Sequence, residues 1–441
     1  MTSTDEDLHE DVHPGRQRII VALAVAAMIP GVAVRVADIH MSDPLAALLF
    51  GVAIVGAAFL LSWAAEVAQL DISAGLAIAL LAFIAVLPEY AVDLVFALKG
   101  GDAFKAANFE GCPSGVAGEE SPCSLALANM TGANRLLIGV GWSMVVFLAW
   151  RQWKKKGNPE AGKEIVLDRG HSVELAFLAV ATLWSLFIPL RGSITILDAV
   201  VLVSLFVAYT VRISRAPAEE PHLVGPARWI GGFTTRTRRI TVVGLFLVAA
   251  GVILLCAEHF AEALVGSGES LGVSEFLLVQ WLAPLASEAP ELLVAGLYAW
   301  RLNTNAALGT LVSSKVNQWT LLVGTLPVAF AIASGSWHGL PIDGHQREEL
   351  FLTAAQSAFA VAVLVSLSMS TKEAKLMFGL FTVQFVAGAV GPESIHDDVR
   401  VVTAIGYLLL AAILFRRERA SIRPLVRDGF RTSYDELSAS P

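Results

Sequence analysis

Twelve apolar runs, each near the length a bilayer demands, constrain this chain more than anything else in it. In order they are Ile19–Ile39, Leu45–Gln69, Ser73–Leu98, Ser124–Trp150, Ser172–Leu190, Ile194–Arg212, Ile240–Leu264, Ser274–Trp300, Ala306–Ala333, Leu350–Ser370, Ala374–Val390 and Val399–Phe415. A spanning helix needs about 20 such residues. In hydrocarbon only a helix or a closed barrel satisfies its own backbone, and runs this long expect helices. Only 16% of residues are charged, against about 25% in soluble domains. The expectation is an all-α integral membrane protein of about 12 transmembrane helices. A net charge of −8 leaves no basic footprint for nucleic acid. Residues 1–15 are acidic and polar and read as a tail. The long acidic leader, with no clear A-x-A cleavage site after the first run, favours a retained helix over a signal peptide.

The loops orient the runs. Arg151, Lys154, Lys155, Lys156, Lys163 and Arg169 share one loop, Arg215, Arg228, Arg236, Arg238 and Arg239 another, and Arg416 to Arg431 the C-terminal stretch. With twelve spans all of these fall on one side together with Arg16 and Arg18. The positive-inside rule then puts both termini in the cytoplasm of a multi-pass protein of the plasma or inner membrane. Cys112 and Cys123 share a loop on the opposite side. Their C-x10-C spacing fits no common zinc pattern, and they can pair if that side is oxidising. Cys256, inside an apolar run, reads as a small core residue.

Two of the runs carry a proline–glutamate pair where charge is expensive: Leu87-Pro88-Glu89-Tyr90-Ala91-Val92-Asp93 and Ser287-Glu288-Ala289-Pro290-Glu291. The offset of 202 that relates Pro88-Glu89 to Pro290-Glu291 also sets residues 93–99 over 295–301. Asn134 to Gly141 pairs loosely with Asn317 to Gly324. Four spans lie between the two pairs, which stand in the third and eighth runs, so the first motif enters from inside and the second from outside. That is an inverted-topology repeat, which points to a secondary transporter with its site at the repeat interface. The expected organisation is a tail and extra helix (1–44), a first repeat (45–213), a cytoplasmic linker (214–239), a second repeat (240–392), and an extra helix and cytoplasmic tail (393–441). The core is therefore ten helices in two inverted five-helix repeats.

Glu89 and Asp93 share one helical face, as do Glu288 and Glu291. Pro88 and Pro290 are expected to break their helices, and with Pro284 to free backbone carbonyls, tolerable at that depth only beside a cavity. Carboxylates with unwound carbonyls are what a hard cation requires. The bland alternative is that the prolines only kink and the acids pair with bases. The following helices are polar in matching ways: Asn129, Thr131, Asn134 and Arg135 in one, Ser313, Ser314, Lys315, Asn317 and Gln318 in the other. Arg135 and Lys315 read as counter-charges that tune the acids. Glu66, Glu258, His259 and Glu262 lie in the helices before each motif; one histidine with acids is a poor zinc site. No serine with a credible base and no P-loop is present, so nothing supports an enzyme.

This arrangement resembles the membrane region of the cation/calcium exchanger superfamily, whose repeats read Gly-Thr-Ser-Leu-Pro-Glu and are followed by a helix of the pattern Gly-Asn-x-x-Gly-Ser-Asn. Leu87-Pro88-Glu89 keeps that pattern, with Ile84-Ala85-Val86 in place of Gly-Thr-Ser. Ser287 and Pro290-Glu291 keep it in the second repeat, with Glu288 and Ala289 substituted. Asn129, Gly132, Leu308-Gly309 and Ser314 match in the helices that follow. The resemblance implies that Glu89 and Glu291 are central cation ligands, with Ser287 and Ser314 as oxygen donors; Asp93, Glu288 and Asn129 complete the candidate set. It implies a secondary-active antiporter of Ca2+ or Na+ against Na+ or H+, with no cofactor beyond the transported cations and with the lipid bilayer as its partner. A channel or leak, or a non-transporting scaffold whose acids are neutralised by Arg135 and Lys315, are the competing readings.

Overall fold

The computed structural model describes residues 14–71, 87–113, 120–158, 163–216, 223–390 and 393–438. The expectations for Ile84-Ala85-Val86 and for the first part of the 73–98 run lie outside the described residues. The first half contributes helices α1 (Pro14–Val36), α2 (Asp43–Ala68), α3 (Leu87–Ala106), α4 (Pro122–Leu136), α5 (Ser143–Lys155), α6 (Ser172–Ser185) and α7 (Ile196–Ile213). After α8 (Gly225–Gly231) come α9 (Thr235–Leu271), α10 (Glu275–Trp300), α11 (Thr304–Asn317), α12 (Val323–Ser334), α13 (Gly344–Leu364) and α14 (Thr371–Val390). The chain closes with α15 (Glu393–Arg417), α16 (Arg419–Phe430) and α17 (Tyr434–Ser438).

Among the described residues, eight helical segments are long and apolar enough to cross a membrane. Helices α3, α10, α13 and α14 occupy four further positions where the sequence places spans. Helix α9 has 37 residues, roughly 55 Å at 1.5 Å per residue, so it outreaches the ~30 Å hydrocarbon core. Its basic first turn carries the excess to the surface. There Arg238 makes paired contacts of 2.7 and 2.9 Å to Asp71, joined by Arg239 at 3.1 Å. These guanidinium groups hold the Asp71 carboxyl below its ordinary range.

Two small sheets tie the halves together. Strand β1 (Glu164–Val166), after α5, pairs antiparallel with β4 (Ser368–Ser370), after α13. Strand β2 (Ser193–Ile194), after α6, pairs with β3 (Leu340–Pro341), after α12. Strand β1 holds the place in its half that β3 holds in the other, and β2 the place of β4. The two pairings are therefore one pairing seen twice. Because α6 separates β1 from β2, they lie at opposite ends of the bundle. That is the signature of inverted repeats.

A second duplication sits in the middle of the bundle. The helix formed by α4 and α5 passes through a π-helical stretch, Leu137–Trp142, and that of α11 and α12 through another, Gln318–Leu322. Such stretches inside helices collect at functional sites. Trp142 and Trp319, one at each, are fully buried in a shared core with Leu127, Met130, Leu311 and Phe330.

The segments read as linker and as C-terminal tail both carry packed helices. Within the expected linker, α8 buries Ala227 and Ile230 against the cluster built on α2. In the expected C-terminal tail, α16 docks on α6, with Leu425 and Asp428 buried. Arg169 reaches Asp428 at 2.7 Å, and Arg212 donates to the carbonyls of Gly429 and Asp428. Arg169, counted only as an orientation signal, and Arg212, the end of an apolar run, thus also clasp the chain end. The structure joins Cys112 and Cys123 in a disulfide.

Candidate cation site

Helix α10 brings the second motif to the centre. Pro290 was expected to break it, but α10 is helical from Glu275 to Trp300 with Pro284 and Pro290 inside. One proline removes one donor, and neighbouring turns hold when another group serves the freed carbonyls. The Ser287 hydroxyl donates to the Ala283 and Pro284 carbonyls at 3.2 Å each, beside and not at the carbonyls that the two prolines free, those of Gln280 and Ala286. Because residue 284 has no N–H, the Gln280 carbonyl has no i+4 donor. It packs directly on Gly132 of α4, where an added Cβ would lie 1.7 Å from it. In the first motif, Pro88 stands in the first turn of α3, where its missing N–H costs nothing. The expected break before it lies outside the described residues.

Helix α3 packs on α4 and on α12 of the other half, and α10 packs on α4 and α11. That exchange sets the two motifs face to face. Glu89 and Asp93 are buried, as are Ser287, Glu288, Asn129 and Ser314; Glu291 is half-buried. Glu89 faces Glu291, Asp93 and Ser287, and Glu288 faces both Glu89 and Glu291. Four acids predicted from two distant motifs converge on one place.

The hydrogen bonds show what the site lacks. Asn129 donates to Asp93 at 2.6 Å, Ser314 to Glu291 at 2.5 Å and Gln318 to Glu288 at 2.9 Å. Among the described residues, each of those acids keeps its second oxygen without a hydrogen-bond partner, and Glu89 keeps both; the Asn129 side-chain oxygen has none either. Buried oxygens left in this state are costly. The site is rich in acceptors and poor in donors, the composition that a desolvated cation satisfies. Among the described residues, no group of three His, Cys, Asp or Glu side chains converges as a metal cage. Any cation here relies on paired carboxylates supplemented by hydroxyl, amide and backbone oxygen.

The two basic residues part company. Lys315 is buried near Glu288, but its Nζ donates to the Asn134 side chain at 2.5 Å and lies 4.2 Å from the centre of the Trp319 ring. Arg135 was expected beside the acids. Instead it turns away along α4, contacts Glu349 of α13 at 2.6 Å and covers the Trp281 ring. Helical spacing fixed its height but not its rotation relative to the neighbouring helices.

Glu349 was missed because it stands six residues into α13, beside a loop, where an acid reads as surface. Gln318, which holds Glu288, was read only as one of a polar set. Of the flanking cluster, Glu262 pairs with Lys99 at 2.6 Å and His259 meets the edge of Phe50.

The chain matches a family model described as sodium/calcium exchanger protein over residues 43–214 and 241–389. It is similar to the crystal structure of an H+/Ca2+ exchanger, CAX, with 40% sequence identity over 96% of this chain and 98% of that one, and a TM-score of 0.83. The structure of native YfkE shares the fold at 14% identity and a TM-score of 0.56, covering 89% of this chain and 100% of that one. A comparison with curated proteins gives no match.

Proposed function

The chain belongs to the sodium/calcium exchanger protein family, and from that premise we propose that it is a secondary-active antiporter that exchanges Ca2+ for H+ between Glu89 and Glu291. One observation carries the reading: two glutamates from inverted halves face each other in a buried site with carboxylate oxygens that have no hydrogen-bond partner among the described residues. A pair of carboxylates in low dielectric needs two positive charges to offset it. One Ca2+ supplies both, and so do two protons, so the two cargoes exclude each other at the same oxygens. That exclusion, with the site exposed to one side at a time, is exchange.

Ca2+ takes six to eight oxygens at about 2.3–2.6 Å. Glu89 and Glu291 supply the charge; Ser287 and Ser314, whose hydroxyls keep lone pairs after donating, supply neutral oxygens. Asp93, held by Asn129, and Glu288, held by Gln318, act as flanking acids. H+ is favoured over Na+ as the counter-ion by Ile84-Ala85-Val86, which removes the hydroxyls that a set of Na+ sites would need. The 40% identical H+/Ca2+ exchanger supports the same choice. The basic loops support cytoplasmic termini, and the Cys112–Cys123 disulfide suits a loop on the oxidising side.

The test is reconstitution with internal Ca2+ and pH reporters. Ca2+ entry should drive H+ exit without Na+, and Glu89→Gln and Glu291→Gln should each lower exchange by at least a hundredfold in protein that remains folded. Ca2+ flux without a trans ion would show a channel. Full exchange in both variants would remove the site assignment.

A further inference from the structure

Beside its acids the protein keeps a cation of its own. Lys315 stands in the last turn of α11, just before the π-helical stretch Gln318–Leu322, and is fully buried. Its Nζ donates to the Asn134 side-chain oxygen at 2.5 Å and to the Asn134 carbonyl at 3.4 Å, across to α4 of the other half. That amide is held in place, because its nitrogen donates to the Met130 carbonyl at 2.8 Å. The centre of the Trp319 ring lies 4.2 Å from Nζ, and Glu288 is the carboxylate whose charge acts on it. Oxygens, an aromatic face and a nearby carboxylate are surroundings that suit a small hard cation. As a mere filler an ammonium is a poor choice, since an apolar side chain of similar volume carries no desolvation cost.

The repeats show that this charge and its acid entered together. The offset of 202 between the two Pro-Glu pairs sets Glu288 over Val86, and the offset of 183 that relates Asn134 to Asn317 sets Lys315 over Gly132. The first half has neither the acid nor the base. We propose that Lys315 is a tethered co-ion: its ammonium stands where a small alkali cation would otherwise balance Glu288, and so confines exchange to Ca2+ and protons. Given the exchange proposed at Glu89 and Glu291, on which this role rests, Lys315 sets which ions take part. The other charged neighbours are engaged elsewhere, Asp93 by Asn129 and Arg135 by Glu349. Glu288 accepts from Gln318 through one oxygen, and its other oxygen has no hydrogen-bond partner among the described residues. With the lysine removed, an alkali cation has a carboxylate oxygen and the Asn134 oxygen to bind.

The experiment compares the full-length parent with Lys315→Met and with the double variant Lys315→Met/Glu288→Gln. Thermal unfolding in detergent is followed in choline, sodium or potassium chloride at equal ionic strength, with Ca2+ present to fill the Glu89/Glu291 pair. The parent midpoint should be the same in all three salts. In Lys315→Met, sodium or potassium should raise it saturably above the choline value, and the double variant should lose that response. In proteoliposomes Lys315→Met should lose Ca2+/H+ exchange by about tenfold or more in choline, as one uncompensated buried acid requires, and regain most of it in the alkali salt. An alkali response in the parent, or none in folded Lys315→Met, overturns the co-ion role. Lys315→Gln keeps a donor for Asn134 without the charge, and it carries the test if the methionine variant fails to fold. Failure of both to fold in every salt also overturns the role, since an alkali cation should then have replaced the ammonium. A parent that moves no H+ with Ca2+ defeats the exchange reading instead, while the salt response in detergent still decides the part played by Lys315.

Discussion

Ser314 shows how a single hydroxyl can work for the site without supplying charge. Its Oγ donates to Glu291 at 2.5 Å, which fixes one carboxylate oxygen and leaves the other unpartnered. Ser314→Ala removes that orientation and one neutral ligand but no charge. Hydrogen bonds to charged groups are worth about 1.5–3 kcal/mol, so Ca2+ affinity should fall roughly tenfold or more while maximal exchange stays nearer to normal. The concentration dependence of Ca2+ uptake in proteoliposomes reads that split; a variant with unchanged affinity would remove Ser314 from the ligand set. At this scale the sequence was legible where chemistry is scarce. A carboxylate in an apolar run has few explanations, so Glu89 and Glu291 stood out. Arg135 was misplaced because both faces of α4 are buried, and polarity then no longer reports direction. The pairing with Glu349 joins residues 214 positions apart in the chain, and no local pattern announces it.

At the scale of elements, the repeated prolines have a consequence that the motif alone did not reveal. Pro284 leaves the Gln280 carbonyl unserved inside α10, and Gly132 lets α4 approach it at backbone distance. Gly132→Ala would put a methyl group 1.7 Å from that oxygen, and backbone on both sides leaves little to yield. Overpacking typically costs 1–3 kcal/mol, occasionally more; here about 3 kcal/mol or a separation of α4 from α10 is expected. Thermal unfolding in detergent should show the loss, and exchange should fall with it, because α4 carries Asn129 and α10 carries Glu291. A variant as stable and as active as the parent would contradict this contact. Helix positions were readable because apolar length reports them directly. The π-helical stretches at Leu137–Trp142 and Gln318–Leu322 were not, since they depend on packing against the opposite half. Only their correspondence, Asn134–Gly141 with Asn317–Gly324, was visible in advance.

For the whole molecule, the exchange proposed here would need something to hold the inverted halves as the site changes its exposure. The paired strands do this at both ends, and the C-terminal segment adds a clasp on one side only. Helix α16 lies so close to α6 that a Cβ at Gly429 would come 2.3 Å from the Ala176 methyl and 2.8 Å from the Ser172 carbonyl. Arg169 and Arg212 lock the same segment through Asp428 and neighbouring carbonyls. Gly429→Leu should therefore lift α16 from α6 without touching any residue of the cation site. The packing loss should be about 1–3 kcal/mol, and most of it should appear locally because chain ends open before the core does. Limited proteolysis should cut the variant after Arg417 at least several-fold faster than the parent, while Ca2+ affinity in proteoliposomes stays the same. A change in affinity would mean that the clasp reports to the site. Unchanged proteolysis would mean that α16 is held by its arginine contacts alone.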